Sequence, residues 1–287
     1  MASDMEMTGN KPTFVGIGAQ KCASTWLYHV LQDHPEVQVS EEKELNFFSF
    51  NFDRGYQWYE HHFADAAKSV CGEISPSYFC EEGVPQRVRE YRKDMKVIVS
   101  FRDPVERALS NHRHEVRLGN FHSPDNSFES GLTNNPMYVQ QGRYATHLKR
   151  WLAYFPEEQI FSVLMEDIKA DPLAVAQRLY EFVGVDATFE PQSIDRKYNV
   201  SFANRSQGLR RIKDVAYKMS STPGLRWTWS LGKKLGLRSA YRKVNTMESS
   251  EAIPEPPAEL LHGLREKFAP EVRGLAELIR RPLDSWL

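Results

Sequence analysis

The stretch between residues 14 and 26 combines the residue types that bind an anion at the start of a helix. It reads FVGIGAQKCASTW, so two glycines precede Lys21, and the hydroxyl residues Ser24 and Thr25 follow. A helix N-terminus offers backbone N–H groups and a partial positive charge, and small residues let the backbone wrap around an anion. Lys21 would add a full charge, and Ser24 and Thr25 would add hydroxyl donors. The pattern predicts a phosphate-binding loop between a strand and a helix.

This loop differs from the P-loop of ATP-binding proteins. That motif, G-x-x-x-x-G-K-[ST], places a hydroxyl residue directly after the lysine, where it binds Mg²⁺. Here Cys22 follows Lys21, and the glycines are Gly16 and Gly18. No carboxylate at a strand end stands out as a magnesium ligand. A magnesium-dependent kinase or NTPase is therefore the weaker hypothesis, and a strand–turn–helix with a surface lysine and no ligand is another alternative.

A second cluster lies in the stretch VIVSFRDPVERALSNH, residues 97–112. Arg102 follows an apolar strand pattern, and Ser110 comes about two turns into the helix predicted after it. An arginine at a strand end can form two parallel hydrogen bonds to a phosphate, and a serine hydroxyl can complete the site. The alternative is that Arg102 pairs with Asp103 or Glu106 and that Ser110 has no ligand.

Strand patterns alternate with helix patterns along the first two thirds of the chain. This alternation predicts an α/β fold with a mainly parallel sheet, in which ligands bind at the carboxyl ends of the strands. The lysine loop and Arg102 both fall at such ends. The predicted strands are 13–18, 37–40, 70–79 with its following loop, 95–101 and 160–168, and the predicted helices are 24–34, 84–94, 105–119, 142–155, 171–185 and a closing segment from 253.

Composition excludes some classes of protein. The 287 residues are 41% hydrophobic and 26% charged, with 37 basic and 38 acidic side chains and a net charge of −1. This balance gives no general attraction to nucleic acid, so an anion site must be local. The three cysteines lack metal-ligand spacing and predict reduced thiols. They are Cys22, Cys71 and Cys80.

The chain shows neither a signal-peptide pattern nor an apolar run of membrane-spanning length. We therefore expect a soluble, cytoplasmic protein. We also expect one domain over residues 1–287, with a flexible tail at 1–12 and a basic helical cover segment at 205–250.

The residues of both clusters resemble a known family. KCASTW resembles the 5′-phosphosulfate loop of sulfotransferases, which use 3′-phosphoadenosine 5′-phosphosulfate (PAPS). That loop often reads K-x-G-T-T before an apolar residue or Trp, so Ala23 stands in place of the usual glycine. Arg102 and Ser110 match the family's 3′-phosphate contacts, and residues 142–185 and 264–286 resemble its scaffold.

The resemblance implies a three-layer sandwich of the P-loop-like sulfotransferase type and a site for PAPS and its product 3′-phosphoadenosine 5′-phosphate (PAP), without a metal. Trp26 would stack on adenine or belong to the core. The implied donor-binding residues are Gln20, Lys21, Cys22, Ala23, Ser24, Thr25, Trp26, Arg102, Ser110 and Arg205.

Two residues are the catalytic candidates. Lys21 would stabilise the departing phosphate oxygen. EEKELNFF resembles the region where glycan-type sulfotransferases carry a catalytic glutamate before a Phe-Phe pair, which matches Glu44. An apolar wall beside Glu44 would raise its pKa towards neutrality. The alternatives are a solvated acidic turn at Glu44 and a histidine base, His112 or His114.

The acceptor side is less defined. Glu73 lies shortly before the turn S-P-S-Y, and the family often has an acid at this place. Glu73 would orient the acceptor or hold a loop. Heparan-type enzymes can place a lysine directly after that acid, but Ile74 stands here, which favours a less anionic acceptor. The implied substrate residues are Glu73, Phe47, Phe48, His114 and Tyr78.

The basic stretch 205–243 includes Trp227 and Trp229 and has three interpretations: helices that cover the site, an electrostatic guide for the donor, or contact with a membrane surface.

Together, these observations predict sulfuryl transfer from PAPS to a hydroxyl, less readily an amine, of a small natural product or sugar. A kinase or NTPase and a non-catalytic PAP-binding module are the alternatives. No nucleic-acid partner is expected, and the sequence is silent on oligomeric state.

Overall fold

A five-stranded parallel sheet organises the larger of two compact units in the chain. The computed structural model describes residues 11–63, 68, 70–118, 120–121, 126–194, 202–204, 246–248 and 253–287. The larger unit contains the described residues up to Ala108, those from Val139 to 194, and those from Leu261 onwards. The smaller unit contains the described residues from Leu109 to Tyr138 and between 202 and Leu260.

The sheet has the strand order β2-β3-β1-β4-β5, and every neighbouring pair is parallel, which confirms the predicted fold class. All five residues of β1 are buried, as parallel strands with helices on both faces must be. The strands are β1 Phe14–Gly18, β2 Val37–Val39, β3 Val70–Ile74, β4 Lys96–Phe101 and β5 Ile160–Leu164, with a separate antiparallel pair of β6 Phe202–Asn204 and β7 Thr246–Glu248.

Helices follow most strands and cover the sheet in a three-layer arrangement. Their apolar residues recur every three or four positions, as in α1, where Leu27, Val30 and Leu31 are buried. The helices are α1 Ser24–Asp33, α2 Gly55–His61, α3 Val84–Tyr91, α4 Pro104–Leu118, α5 Phe128–Asn134, α6 Met137–Gln140, α7 Tyr144–Leu152, α8 Met165–Ala170, α9 Pro172–Val183 and α10 Ala258–Ile279.

The main hydrophobic core lies between the sheet and the helix pair α1 and α9. Phe14, Ile98 and Val163 from the strands meet Leu31 and Leu179 from the helices, and all five are buried. Burial of such a side chain stabilises the fold by about 1.5–3 kcal/mol. The strands that carry the predicted site are therefore fixed on this side by close packing.

The predicted end of the fifth strand is wrong. The strand predicted over 160–168 ends at Leu164, because the Asp167 carboxylate accepts the Leu164 N–H at 3.3 Å and starts α8. No element was predicted over Met137–Gln140, which forms α6. The sequence also gave no prediction for the short helices α2 and α5.

Among the described residues, no helix combines the length and apolarity needed to cross a bilayer.

Candidate functional site

The loop between β1 and α1 has the backbone shape of an anion cradle. Lys21 and Ala23 have φ values of 65° and 70°, in the left-handed region, so the chain reverses twice before α1 begins at Ser24. Ala23 is the N-cap residue of α1, and its side chain makes no capping hydrogen bond. The first turn of a helix leaves N–H groups without intrahelical acceptors, and these attract anions. Lys21 and Thr25 are both partly exposed beside this turn.

Two small residues permit this loop. Gly18 has a φ of 131°, and a Cβ on it would lie 2.9 Å from the Pro76 carbonyl oxygen. Ala23 adopts its left-handed conformation at a cost of about 1–2 kcal/mol relative to glycine. This conformation explains why a glycine would suit this position better than the alanine of this chain.

A buried polar chain supports the loop from below. Gln141 Nε2 donates to Gln20 Oε1 at 3.0 Å, and the fully buried Arg107 donates to Gln141 Oε1 at 2.8 Å. The Cys22 Sγ lies 3.6 Å from the Tyr144 hydroxyl, and burial raises the pKa of this thiol to about 11. The Cys22 side chain is fully buried and so not available to a ligand, and the partly exposed Gln20 is tied to the interior through Gln141.

No sequence pattern indicates that Arg107, Gln141 and Tyr144 support the loop. A short-range pattern could not reveal these contacts, because the Gln20–Gln141 hydrogen bond joins residues 121 positions apart.

Arg102 lies at the carboxyl end of β4, the strand next to β1. Its guanidinium donates to Glu106 Oε2 at 3.0 Å, so the predicted alternative of an ion pair with Glu106 is present. Asp103 instead caps α4, since its Oδ1 accepts the Val105 N–H at 2.8 Å, and its Oδ2 accepts from Arg265 at 3.0 Å. Ser110 is partly exposed on α4.

Glu44 lies on a short segment with an unusual backbone. Glu44 and Asn46 have φ values of 66° and 51°, in the left-handed region that most residues avoid. The Glu44 side chain is 47% exposed and forms an ion pair with Lys43. Phe47 and Phe48 are fully buried, so they do not form the apolar wall that we expected around Glu44. Phe47 stacks on Tyr59, with ring centroids 4.5 Å apart.

Glu73 is a fully buried carboxyl group at the end of β3. Ser75 Oγ donates to it at 2.5 Å, and the hydroxyl of the buried Tyr78 also donates to it. Burial raises the pKa of Glu73 to about 7 despite these hydrogen bonds. Because both side chains are fully buried, neither Glu73 nor Tyr78 presents surface to a substrate.

This raised pKa predicts a pH-dependent stability. The free energy of unfolding contributed by Glu73 is fully present below its unfolded pKa of about 4.5 and is lost as pH rises towards about 7. Relative to Glu73→Gln, the wild type should therefore lose up to about 3 kcal/mol between those pH values. Urea unfolding of both proteins at pH 5 and pH 7.5 measures this.

The Gln variant is itself the control, because all other titrating groups are common to both proteins. A difference in unfolding free energy that stays constant across this pH range would contradict the prediction.

The remaining candidates lie elsewhere. Trp26 is buried in the core, and its Nε1 donates to the Ile194 carbonyl oxygen at 3.1 Å, so the core alternative describes it. Both ring nitrogens of the buried His112 are engaged, with Tyr138 and with the Asn126 carbonyl oxygen. His114 is partly exposed and contacts Arg117. Arg205, Trp227, Trp229 and the basic stretch lie outside the described residues.

Within the described ranges, no group of three or more His, Cys, Asp or Glu side chains could hold a metal ion.

The chain was compared with known proteins. A family model described as Sulfotransferase domain matches residues 11–227. Heparan sulfate glucosamine 3-O-sulfotransferase 3B1 of Mus musculus is 33% identical over 185 residues, which cover 61% of this chain and 46% of the relative. Bifunctional heparan sulfate N-deacetylase/N-sulfotransferase 2 of Bos taurus is 26% identical over 296 residues, which cover 96% of this chain and 30% of the relative. The chain spans less than half the length of these relatives.

The fold has a counterpart among solved structures. The crystal structure of a sulfotransferase from Alicyclobacillus acidocaldarius matches with a TM-score of 0.70 at 24% identity, covering 96% of this chain and 98% of the other. The fold predicted from the sequence is confirmed.

Proposed function

This chain belongs to the sulfotransferase domain family, and on that premise we propose that it transfers a sulfuryl group from PAPS to an acceptor hydroxyl. PAPS supplies the sulfuryl group on a phosphosulfate linkage and leaves as PAP. The acceptor oxygen forms a bond to sulfur as the bond between sulfur and the phosphate oxygen breaks. The acceptor proton passes to Glu44, and the negative charge on the leaving oxygen is stabilised by Lys21.

Two cationic side chains, Lys21 and Arg102, follow the ends of neighbouring parallel strands, and this observation is the main support for the proposal. β1 leads into the loop with Lys21, and β4 ends at Arg102. Carboxyl ends of adjacent parallel strands share one edge of the sheet, where α/β proteins bind ligands. A donor with a 5′-phosphosulfate and a 3′-phosphate needs two separate anion sites. The uncapped first turn of α1, with Ser24 and Thr25, fits the phosphosulfate, and the Arg102 fork fits the 3′-phosphate.

We propose Glu44 as the base because it matches the catalytic glutamate that glycan-type sulfotransferases carry before a Phe-Phe pair and because its side chain is exposed. Nearly half of its side chain is exposed, whereas the neighbouring acid Glu73 is fully buried and therefore cannot reach an acceptor. Both nitrogens of His112 are engaged in the fold, which leaves His114 as the rival. The Glu44 carboxylate forms an ion pair with Lys43.

The acceptor is proposed to be a hydroxyl of a sugar or small natural product. Two relatives carry heparan sulfate in their names, which supports a carbohydrate. Ile74, the residue after Glu73, is buried in the main core, so this position offers no cation to a sulfated chain. We therefore propose an acceptor with less negative charge than heparan sulfate.

Calorimetric titration with PAP, with ATP–Mg²⁺ as the comparison, tests the donor site. Arg102→Ala should weaken PAP binding by about 10- to 100-fold, because a charge-assisted hydrogen bond contributes about 1.5–3 kcal/mol. The matched control is Glu106→Gln, which removes the carboxylate paired with Arg102 and should leave PAP affinity unchanged or tighter. A preference for ATP–Mg²⁺ over PAP would contradict the proposal and favour a kinase or NTPase.

A further inference from the structure

The Glu44 segment, residues 44–50, is attached to the sheet through the buried carboxylate of Glu73. Ser75 Oγ donates to Glu73 at 2.5 Å and accepts the Asn46 N–H at 2.9 Å. The Tyr78 hydroxyl likewise donates to Glu73 and accepts the Phe48 N–H at 3.1 Å. Two backbone amides, those of Asn46 and Phe48, therefore depend on Glu73, each through one hydroxyl.

The conformation of this segment requires such a restraint. Glu44 and Asn46 both hold left-handed backbone conformations, each of which costs about 1–3 kcal/mol for a residue other than glycine. Strained conformations persist only where surrounding contacts fix them. The Glu73 network provides these contacts directly behind the two strained residues, and Ser77 Oγ adds a hydrogen bond to Asn46 Oδ1 at 2.6 Å.

The same network is tied to the strand that leads into the donor loop. The Ser75 N–H donates to the Gly16 carbonyl oxygen of β1 at 2.8 Å, and β3 pairs with β1 in parallel register, with Gly16 opposite Ile74. Gly18, at the end of β1, lies against Pro76. The Glu44 segment and the Lys21 loop are therefore both fixed to the end of β3 and the turn that follows it.

We propose that Glu73 is a positioning residue that holds the Glu44 segment in register with the donor loop, although it touches neither substrate. This inference rests on the proposed function, because Glu44 is a base only if the chain transfers a sulfuryl group. Glu73 acts through Ser75 and Tyr78. Both hydroxyls donate hydrogen bonds to Glu73, and this orients their oxygens to accept the Asn46 and Phe48 N–H groups.

The test compares Glu73→Gln and Tyr78→Phe with Tyr59→Phe. Tyr59 is fully buried in the same cluster, but its hydroxyl makes no hydrogen bond with any described residue. All three variants keep the shape of the side chain, and only the first two interrupt the connection to the Glu44 segment. The measurements are amide hydrogen exchange of residues 44–50, PAP affinity by calorimetry, and kcat and KM with PAPS.

Glu73→Gln and Tyr78→Phe should accelerate exchange in residues 44–50, lower kcat by about 10- to 100-fold, and leave PAP affinity within about twofold. Tyr59→Phe should change none of these. If Glu73→Gln does not fold, Tyr78→Phe decides the question, because it removes a single hydroxyl.

Unchanged exchange in residues 44–50 of Glu73→Gln and Tyr78→Phe would overturn the inference. A raised KM with an unchanged kcat would also overturn it, because Glu73 would then contact the acceptor. If the wild-type chain binds PAP but shows no turnover, the proposed function fails. The exchange comparison would then still show whether Glu73 holds the segment.

Discussion

Replacing Lys21 by alanine is expected to lower kcat with PAPS by about 10²- to 10³-fold, because the variant loses the cation beside the departing phosphate oxygen. Lys21 lies between a residue that ends β1 and the first turn of α1, so its charge adds to the partial positive charge of the helix N-terminus. The same charge attracts the donor before reaction, so PAP affinity should also fall. Steady-state kinetics with labelled PAPS and calorimetry with PAP measure the two effects.

Lys149→Ala is the matched control, since Lys149 is an exposed lysine on α7, and its loss should leave both quantities unchanged. Lys21→Arg separates charge from geometry, because arginine keeps the charge but presents it as a planar fork. Retention of more than half the wild-type kcat by Lys21→Ala would remove Lys21 from the mechanism.

Glu44→Gln is expected to lower kcat by about 10²- to 10⁴-fold, the range typical of the loss of a general base. The amide has nearly the same shape but cannot accept the acceptor's proton at neutral pH. PAP affinity should stay within about twofold, because Glu44 belongs to the β2–α2 connection and not to the donor loop. The split between lost turnover and retained binding distinguishes a base from a residue that supports the fold.

Glu42→Gln is the control for this variant, because Glu42 is an exposed acid two residues earlier in the same connection. Full turnover in Glu44→Gln together with a large loss in His114→Ala would move the role of base to His114. No turnover in either the wild type or Glu44→Gln, with tight PAP binding in both, would describe a non-catalytic module.

The elements that carry the proposed donor site could be predicted because their signals are local. The run of buried residues in β1, the small residues of the loop and the apolar periodicity of α1 all occur within 20 consecutive residues. The strand β4 and the helix α4 after Arg102 are equally local, and both were predicted within one residue at each end. Neighbouring strands in a parallel sheet then bring these two local signals to one edge.

The acceptor side was harder to predict because its geometry depends on long-range contacts and on an irregular backbone. The positive φ values of Glu44 and Asn46 turn Phe47 and Phe48 into the core, and no glycine in the segment indicates that turn. The Asn46–Ser75 hydrogen bond joins residues 29 positions apart, and the Phe48–Tyr78 hydrogen bond joins residues 30 apart. The sequence predicts Glu73 at a strand end, but the burial of its side chain depends on these long-range contacts.

The most direct test of the proposed function is the transfer of a labelled sulfuryl group from PAPS. The purified chain would be incubated with PAPS labelled at sulfur and with separate sets of neutral sugars, small alcohols, amines and sulfated glycans, with Glu44→Gln as the inactive control. We expect a labelled neutral hydroxyl acceptor and an equal amount of PAP with the wild type, and neither with Glu44→Gln. PAP binding without any labelled product, or equal labelling by Glu44→Gln, would contradict it.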